Sequence, residues 1–503
     1  MTAVIPARDP AARYRIRPTV FDALRSPRLL TREVLAGLVV AIALIPEAIA
    51  FSIIAGVDPR VGLFSAFVMA VTISFVGGRP AMISAATGAV ALVIAPVVRA
   101  HGIDYLIATV ILAGAFQIVL ALVGVAKLMR FIPRSVMVGF VNALAILIFI
   151  AQLPQLIAVP WAVYPLVVAG LLIVFLFPKL TRVVPAPLIA IIVLTAVVVF
   201  AGIAVPNVGD QGALPRSLPT LFLPHVPLTW ETLQIIGPYA AAMAVVGLLE
   251  SLMTAKLVDD ITDTHSRKPR EAFGQGVANI ASGLFGGMGG CAMIGQTMIN
   301  VKASGARTRI STFLAGTFLL ILVVVLGDVV ALIPMAALVA VMILVSVSTF
   351  NWHSIRLSTL RRMPKSETFV MVITVVVTVL TNNLAIGVVV GVLAAMVLFA
   401  RRVAHVVSVT RTADEVTARY RVDGALFFAS SNDLTTQFEY AEDPDRIVID
   451  MSASHIWDAS SVAALDAIVT KYAEHGKQAT IEGMNAATTR LHRRLSGGLG
   501  DGH

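Results

Sequence analysis

The chain has 503 residues, 58% hydrophobic and only 13% charged, against about 25% charged in an ordinary soluble domain. Its mean hydropathy of +0.89 excludes a disordered chain. The many apolar runs longer than a buried strand exclude a soluble protein with one large core, which leaves a polytopic α-helical membrane protein.

Residues 1–32 form a polar, basic arm with Arg8, Arg13, Arg15, Arg17, Arg25, Arg28 and Arg32. This stretch is too long for the head of a cleavable signal peptide, and the next apolar run has the length of a membrane span. From Glu33 to Arg402 apolar segments follow closely, predicting crossings at 33–54, 61–77, 80–98, 104–126, 135–153, 161–178, 187–205, 234–255, 270–287, 289–302, 309–328, 332–350, 366–382 and 384–401. These fourteen crossings take roughly 26 residues each, which suits helices of ~20 residues joined by tight turns.

An even count puts both termini on one side. With the termini cytoplasmic, every inside connection is basic: Arg79; Lys127, Arg130 and Arg134; Lys179 and Arg182; Lys256, Arg267, Lys268 and Arg270; Lys302, Arg307 and Arg309; Arg356, Arg361, Arg362 and Lys365; Arg401 and Arg402. The outside connections hold only Arg60, Arg99 and Arg216. The positive-inside rule supports this count and orientation, so the formal charge of +9 reports topology and no nucleic-acid partner.

Beyond Arg402 the pattern changes. Short β-like runs at Val416–Tyr420, Ala425–Phe428 and Arg446–Asp450, an amphipathic helix at Ser461–Glu474 and a strand at Gln478–Glu482 predict a small soluble α/β domain over 407–495. Residues 496–503 read as a frayed tail.

Two passages in the membrane part resemble each other. Gly77-Gly78-Arg79-Pro80-Ala81-Met82-Ile83-Ser84 shares Gly-Gly and Ala-Met-Ile with Gly286-Gly287 and Gly290-Cys291-Ala292-Met293-Ile294-Gly295. They open crossings three and ten, equivalent places in two halves of seven crossings, and an odd number per half makes the halves inverted repeats. Paired interruptions at corresponding places point to a transporter site. Each is expected to be an extended stretch followed by a half-helix, starting near Ala86-Thr87-Gly88 and near Gln296-Thr297-Met298. Two such starts face each other with unpaired N–H groups and positive dipole ends, which suits an anion.

Carboxylates deep in the crossings are rare. Glu47 follows Pro46 in crossing one, and Glu250 lies in crossing eight, its counterpart. An ionised carboxylate at a helix centre costs roughly 3 kcal/mol. Each is therefore either a structural hydrogen bond to a neighbouring helix or a proton- or cation-coupling group. Desolvation favours the neutral acid, so Glu47 is expected to take up protons. Thr254, one turn after Glu250, either helps it hold a hard cation such as Na⁺ or forms a packed polar pair with it. Phe51, one turn after Glu47, lines the same cavity or packs in the core. The one cysteine, Cys291, excludes a disulfide framework, a CxxC pair and a Cys-rich metal site. Walker, HExxH and GxSxG motifs are missing from the sequence, so neither enzymatic activity, a cofactor nor a metal is expected.

The residues now reached resemble a known family. Pro46-Glu47-Ala48-Ile49-Ala50-Phe51 followed by Ala55-Gly56-Val57-Asp58-Pro59-Arg60-Val61-Gly62-Leu63 resembles the signature of the SulP anion transporters, bacterial relatives of the solute-carrier sulfate transporters and prestin. Val136-Met137-Val138-Gly139-Phe140 with Gln152, Glu250-Ser251-Leu252, Asp259-Asp260 and Gly274-Gln275-Gly276-Val277-Ala278-Asn279 continue the likeness. In the tail, Val448-Ile449-Asp450-Met451-Ser452, Asp458-Ala459-Ser460-Ser461 and the helix with Ala464-Leu465 resemble a STAS domain, shared with anti-sigma-factor antagonists.

The resemblance implies seven plus seven inverted repeats. Crossings one to four and eight to eleven form a core that moves against a gate of crossings five to seven and twelve to fourteen. Substrate lies between the half-helix starts, at Phe51, Ala86, Thr87, Gly88, Gly295, Gln296 and Thr297. A homodimer in a bacterial plasma membrane, with cytoplasmic termini, is implied as well. Ser460 matches the phosphorylatable position of the antagonists and is otherwise a helix N-cap.

Three departures matter. Glu47 stands where many members have Gln, Ala86-Thr87 where many have Gly-Pro, and Gly295-Gln296 where many eukaryotic members have Ser-Arg. With no fixed cation, an ionised Glu47 opposes the anion. The expectation is secondary active, proton-coupled symport of a small anion such as the dicarboxylates fumarate and succinate. Alternatives are a sodium-coupled bicarbonate or sulfate carrier on Glu250 and Thr254, an anion channel, and a membrane-anchored signalling protein acting through its STAS domain.

Overall fold

The computed structural model describes residues 18–125, 132–180, 185–404 and 407–496. Arg8, Arg13, Arg15, Arg17, Lys127, Arg130, Arg182 and the tail from 497 onward lie outside the described residues. The chain divides into two compact units, up to Val392 and from Leu393.

The first unit is helical. It begins with the short α1 (Val20–Arg25), then α2 (Pro27–Ala55), α3 (Pro59–Val76), β1 (Ser84–Ala85), α4 (Gly88–Val123), α5 (Arg134–Ile150), α6 (Val163–Leu180) and α7 (Ala186–Ala201). Next come α8 (Trp230–Thr262), α9 (Lys268–Leu284), β2 (Cys291–Ala292), α10 (Ile294–Met298) with a π-helical turn Ile299–Ala303, and α11 (Arg309–Val325). The short α12 (Gly327–Ala331), α13 (Met335–Thr349), the short α14 (Leu357–Arg362) and α15 (Lys365–Thr381) follow, and α16 (Leu384–Ala404) runs past the unit's end at Val392 into the second unit. Among the described residues, six helices are long and apolar enough to cross a membrane by length and composition, and four shorter apolar helices lie among them.

Each predicted crossing coincides with a helix, or with a strand and helix in crossings three and ten. Proline at the first position opens α2 and α3, where its missing N–H costs nothing. Crossings three and four are joined by Gly102 alone, whose φ of 81° is a left-handed conformation inside α4. Lys256, Asp259 and Asp260, read as part of a connection, sit on the last turns of α8, which runs on to Thr262.

The helices pack in two groups. One holds α2, α3, α4, α8, α9, α10 and α11; the other holds α5, α6, α7, α13 and α15. Small residues allow close approach in both. A Cβ on Gly139 of α5 would meet Thr374 Cβ of α15 at 2.8 Å, and one on Gly276 of α9 would meet the Gly114 carbonyl of α4 at 2.6 Å.

The second unit carries a four-stranded sheet, β3 (Ser408–Ala413), β4 (Thr417–Leu426), β5 (Arg446–Ile456) and β6 (Gln478–Glu482), in the order β3-β4-β5-β6. The first pair is antiparallel and the next two are parallel. Helices α17 (Phe428–Leu434), α18 (Ala459–Glu474) and α19 (Ala486–Leu495) complete it. The two runs predicted at Val416–Tyr420 and Ala425–Phe428 are one strand with a register shift between Arg421 and Asp423. Phe428 already begins α17.

Asp443 pins this unit's core. Its buried carboxylate accepts from the hydroxyls of Tyr420 at 2.7 Å and Tyr472 at 2.5 Å, and pairs with Arg411 at 2.7 Å. Burial, then the hydrogen bond to Asp443, pushes the Tyr472 hydroxyl well above the ordinary tyrosine range.

Candidate functional site

The extended backbone of crossing three lies against that of crossing ten. Ser84 pairs with Ala292 and Ala85 with Cys291 in an antiparallel bridge. A Cβ at Gly290 would run into the Ala85 carbonyl, so only glycine permits this approach.

The interrupted backbone has its polar groups met by side chains, as it must inside a bilayer. Asn279 of α9 receives the Gly290 N–H at 2.8 Å and donates to the Gly290 carbonyl at 3.1 Å. Ser251 accepts from the Ala292 N–H at 3.0 Å. The Ile83 N–H donates to Thr297 Oγ1 at 3.0 Å, and the Met293 N–H to the Ile83 carbonyl at 2.8 Å. Gln275 of α9 donates to Ser84 Oγ at 2.7 Å and to Glu271 at 2.9 Å. Glu271 in turn receives the Gly78 and Arg79 N–H groups at 2.7 and 2.9 Å.

Two helices start from this bridge. α4 starts at Gly88 with Thr87 as N-cap, its Oγ1 accepting from the Val90 N–H. This is where the sequence places it. α10 starts at Ile294, not at Gln296, because the extended stretch ends at Ala292 and Met293 is the cap residue. Gly295 and Gln296 therefore occupy its first turn. Thr297 does not cap it: its hydroxyl is spent on Ile83. The shared Ala-Met-Ile is likewise out of structural register. The first copy precedes its strand, which begins at Ser84, while the second begins within its strand, at Ala292. The crossings are equivalent, but those three residues are not.

One carboxylate reaches the start of α10 directly, and the other, from the counterpart crossing, reaches that of α4 through Cys291. Glu47 Oε1, one residue past Pro46 in α2, accepts from Gln296 Nε2 at 2.9 Å. Gln296 is buried and its Oε1 has no hydrogen-bond partner among the described residues. Glu250 Oε2 accepts from the Cys291 thiol at 3.0 Å, and that sulfur also meets Thr87 Oγ1 at 3.1 Å.

Of the two readings for Thr254, a cation ligand beside the Glu250 carboxylate or a packed polar pair with Glu250, the geometry fits the pair. The Thr254 hydroxyl donates to the backbone carbonyl of Glu250 at 2.8 Å and reaches that of Ala292 at 3.4 Å. A threonine inside a helix readily bonds the carbonyl one turn back, and the carboxylate is turned to Cys291 instead.

Phe51 is buried, and a Cβ added to Gly88 would meet its ring at 2.9 Å and Ile148 of α5 at 3.1 Å. Phe51 thus closes on the first residue of α4. Ala86 is buried beside the bridge. Gly295 opens on space, with nothing within 4 Å of where a Cβ would stand. By helix geometry the N–H groups of Gly88, Ala89, Gly295 and Gln296 have no acceptor in their own helix.

A cavity of about 1290 Å³ runs between α5 and α8 and reaches Ile294, the first residue of α10. Arg134, Lys256, His265, Arg267, Lys268 and Arg270 line it, against Asp259 and Asp260. An anion entering there meets a net positive field before the half-helix ends.

Sequence reasoning missed Cys291, Asn279, Glu271 and Gln117, whose Oε1 accepts from Asn279 Nδ2 at 2.9 Å, as parts of the site's framework. It also missed that Arg79 is buried, paired with Asp259 at 2.9 Å. Ser460 is exposed at the second position of α18, and the N-cap is Asp458, which accepts from the Ser461 N–H at 3.0 Å.

Comparison with known proteins agrees with this geometry. A sequence model of the sulfate permease family matches residues 30–163 and 158–374, and one of the STAS domain matches 408–496. A putative sulfate transporter of Bacillus subtilis (strain 168), YbaR, is 52% identical over 467 residues, covering 93% of this chain and 97% of its own length. The transmembrane domain of a cyanobacterium bicarbonate transporter, BicA, superimposes with a TM-score of 0.65 at 27% identity, covering 72% of this chain and 98% of that one. The murine Solute Carrier 26 family member A9 anion transporter, in the inward-facing state, gives 0.81 at 16% identity over 99% of this chain and 92% of that one, a likeness of fold alone. The fold is that of a helical membrane transporter with a C-terminal STAS domain.

Proposed function

The chain belongs to the sulfate permease family, and on that premise we propose that this anion transporter is a secondary active symporter. It carries a small anion together with a proton on Glu47, as the helix group of α2–α4 and α8–α11 moves against that of α5–α7, α13, α15 and α16. One observation supports this reading above the others: the Gln296 amide joins Glu47 to the first turn of α10 and keeps a second, unpartnered end.

That amide couples the two ligands. While Glu47 is ionised, Gln296 Nε2 is drawn to it and the carboxylate charge opposes an anion. Two like charges about 6 Å apart repel by about 3 kcal/mol at an effective dielectric of about 20, enough to weaken binding roughly a hundredfold. Once Glu47 takes a proton, its O–H donates to Gln296 Oε1 after a half-turn of the amide, and Nε2 is released as a donor for the anion. Proton and anion then bind together, with the half-helix N–H groups supplying the rest of the anion's contacts.

Backbone N–H groups recognise charge more than identity, so the anion class follows the relatives: sulfate first, as YbaR is named, then bicarbonate, as BicA is named, with the dicarboxylates beside them. Sodium coupling is disfavoured by the turned-away Thr254. The basic mouth of the α5–α8 cavity, built from residues of the inside connections, supports cytoplasmic termini in a bacterial plasma membrane. A homodimer and phosphate acceptance by Ser460 belong to this proposal on the family resemblance.

The test is uptake into proteoliposomes of sulfate, bicarbonate, chloride, fumarate and succinate under an imposed pH or Na⁺ gradient. A gradient of one pH unit is worth about 1.4 kcal/mol per proton, or about tenfold accumulation at one proton per anion. Glu47→Gln is expected to abolish accumulation while keeping anion exchange. Accumulation that survives Glu47→Gln, or that follows Na⁺ alone, defeats the reading.

A further inference from the structure

Away from the transport site, the geometry points to a binding site for one anionic phospholipid at the start of α2. A separate cavity of about 400 Å³ lies there, lined by Arg28, Arg32, Leu35, Val39 and Ser304. The residues at 28, 32, 35 and 39 follow helical spacing, so they form one stripe along α2.

The stripe changes character along its length. Arg28 and Arg32 are exposed and make no ion pair among the described residues. Leu35 is 55% exposed and continues the stripe as bare hydrocarbon. From residue 28 to residue 39 the helix rises about 16 Å, close to half the ~30 Å hydrocarbon core of a bilayer. A ligand with an anionic head and an aliphatic tail matches this order, and a head alone does not.

The opposite wall strengthens the charge. A Cβ on Gly305 would stand 3.4 Å from Arg32 Cδ, so the glycine leaves room for that side chain. Arg307 behind it is fixed by donating to the Val301 and Ala306 carbonyls. Burial first, and then the Arg32 charge, hold its pKa below the ordinary arginine value. The nearby carboxylate, Glu33, is committed to the N–H groups of Arg307, Thr308 and Ser311 at the start of α11. The Glu33 charge offsets part of the Arg307 charge, and the exposed Arg28 and Arg32 remain, a pair of guanidiniums that a phosphate diester relieves. The neighbouring α1 exposes Phe21 (72%) and Leu24 (57%), further apolar side chains near this end of α2.

The full chain, stripped of lipid in detergent, is titrated with phosphatidylglycerol, phosphatidylcholine, inorganic phosphate and glycerol 3-phosphate. Bound lipid is counted by native mass spectrometry and Tm is followed. Phosphatidylglycerol is expected to bind and raise Tm, and phosphatidylcholine to do neither. The pair Arg28→Gln/Arg32→Gln is expected to weaken phosphatidylglycerol binding about thirtyfold, at about fivefold per basic side chain. Leu35→Gln is expected to weaken the lipid and leave the soluble phosphates unchanged. Arg28→Lys/Arg32→Lys keeps the charge and serves as the fold control. Three results overturn the site: inorganic phosphate reproducing the whole shift, the Gln pair binding lipid as the native chain does, or Arg361→Gln/Arg362→Gln on α14 losing as much lipid as the Arg28/Arg32 pair.

Discussion

At the start of α4 one first-turn N–H is capped, and the capping side chain is itself held in place. Thr87 caps Val90 and touches Cys291, whose thiol reaches Glu250. At the start of α10 the cap residue is Met293, which has no side-chain acceptor, and the first turn instead presents Gln296, half satisfied by Glu47. One backbone device, an extended strand running into a helix, is thus wired in two ways. Both first turns keep unmet backbone N–H groups, but at α4 the cap hydroxyl is locked by its neighbours, whereas at α10 an amide with one free end can respond to charge, and it is there that the proposed coupling is placed.

The most direct way to break this comparison is Gln296→Leu. It removes the amide and leaves Glu47 alone, so gradient-driven accumulation is expected to vanish, a loss of about tenfold per pH unit imposed. Passive exchange, read by isotope efflux, is expected to persist. In the native chain uptake is expected to fall as pH rises, because the anion is admitted with Glu47 protonated. In Gln296→Leu that pH profile flattens.

Gly88→Val comes next. A side chain there strikes the Phe51 ring and Ile148, and overpacking of this kind costs about 1–3 kcal/mol. Transport is expected to drop at least tenfold, with partial recovery in Gly88→Ala/Phe51→Leu. Full activity in Gly88→Val would place Phe51 outside the working site.

Thr87→Val tests the scaffold side. Loss of an N-cap costs about 1 kcal/mol, so the anion KM is expected to rise about fivefold while the pH profile keeps its shape. A change in the profile would transfer coupling to Glu250. Cys291→Ser should move uptake less than twofold, since a hydroxyl still bridges Thr87 and Glu250.

The second unit offers a contrast in which a buried carboxylate does structural work only. The raised Tyr472 hydroxyl stays protonated in the folded unit, so its stabilising contribution is whole below the ordinary tyrosine pKa of about 10 and is lost as pH rises beyond it. Thermal unfolding followed at rising pH checks this, and Tyr472→Phe should remove that part of the alkaline loss.

Much of this was legible in the chain. Apolar runs located the crossings, and the paired glycines located the two interruptions. Scarcity of charge brought out Glu47 and Glu250, which do flank the two starts. The register of the repeat was misread, since Ala-Met-Ile recurs by composition and its two copies serve different ends of their strands. Thr254 stayed open between a cation ligand and a packed polar pair, because helical spacing places two residues on one face without saying which atom of the earlier one is met. Cys291 was set aside as a lone thiol; no local pattern shows that Glu250 and Thr87 converge on it.

The sequence by itself determined the membrane character, the order of helices, the two interruptions and the rarity of intramembrane carboxylates, because hydropathy and helix breaking are local. Tertiary structure decided which polar group meets which: Gln296 with Glu47, Cys291 with Glu250, Asn279 with Gly290. Where water is absent, each broken backbone bond must find a partner from whatever helix lies alongside. That choice is made by approach in space across intervals of up to about 250 residues, which no periodicity records.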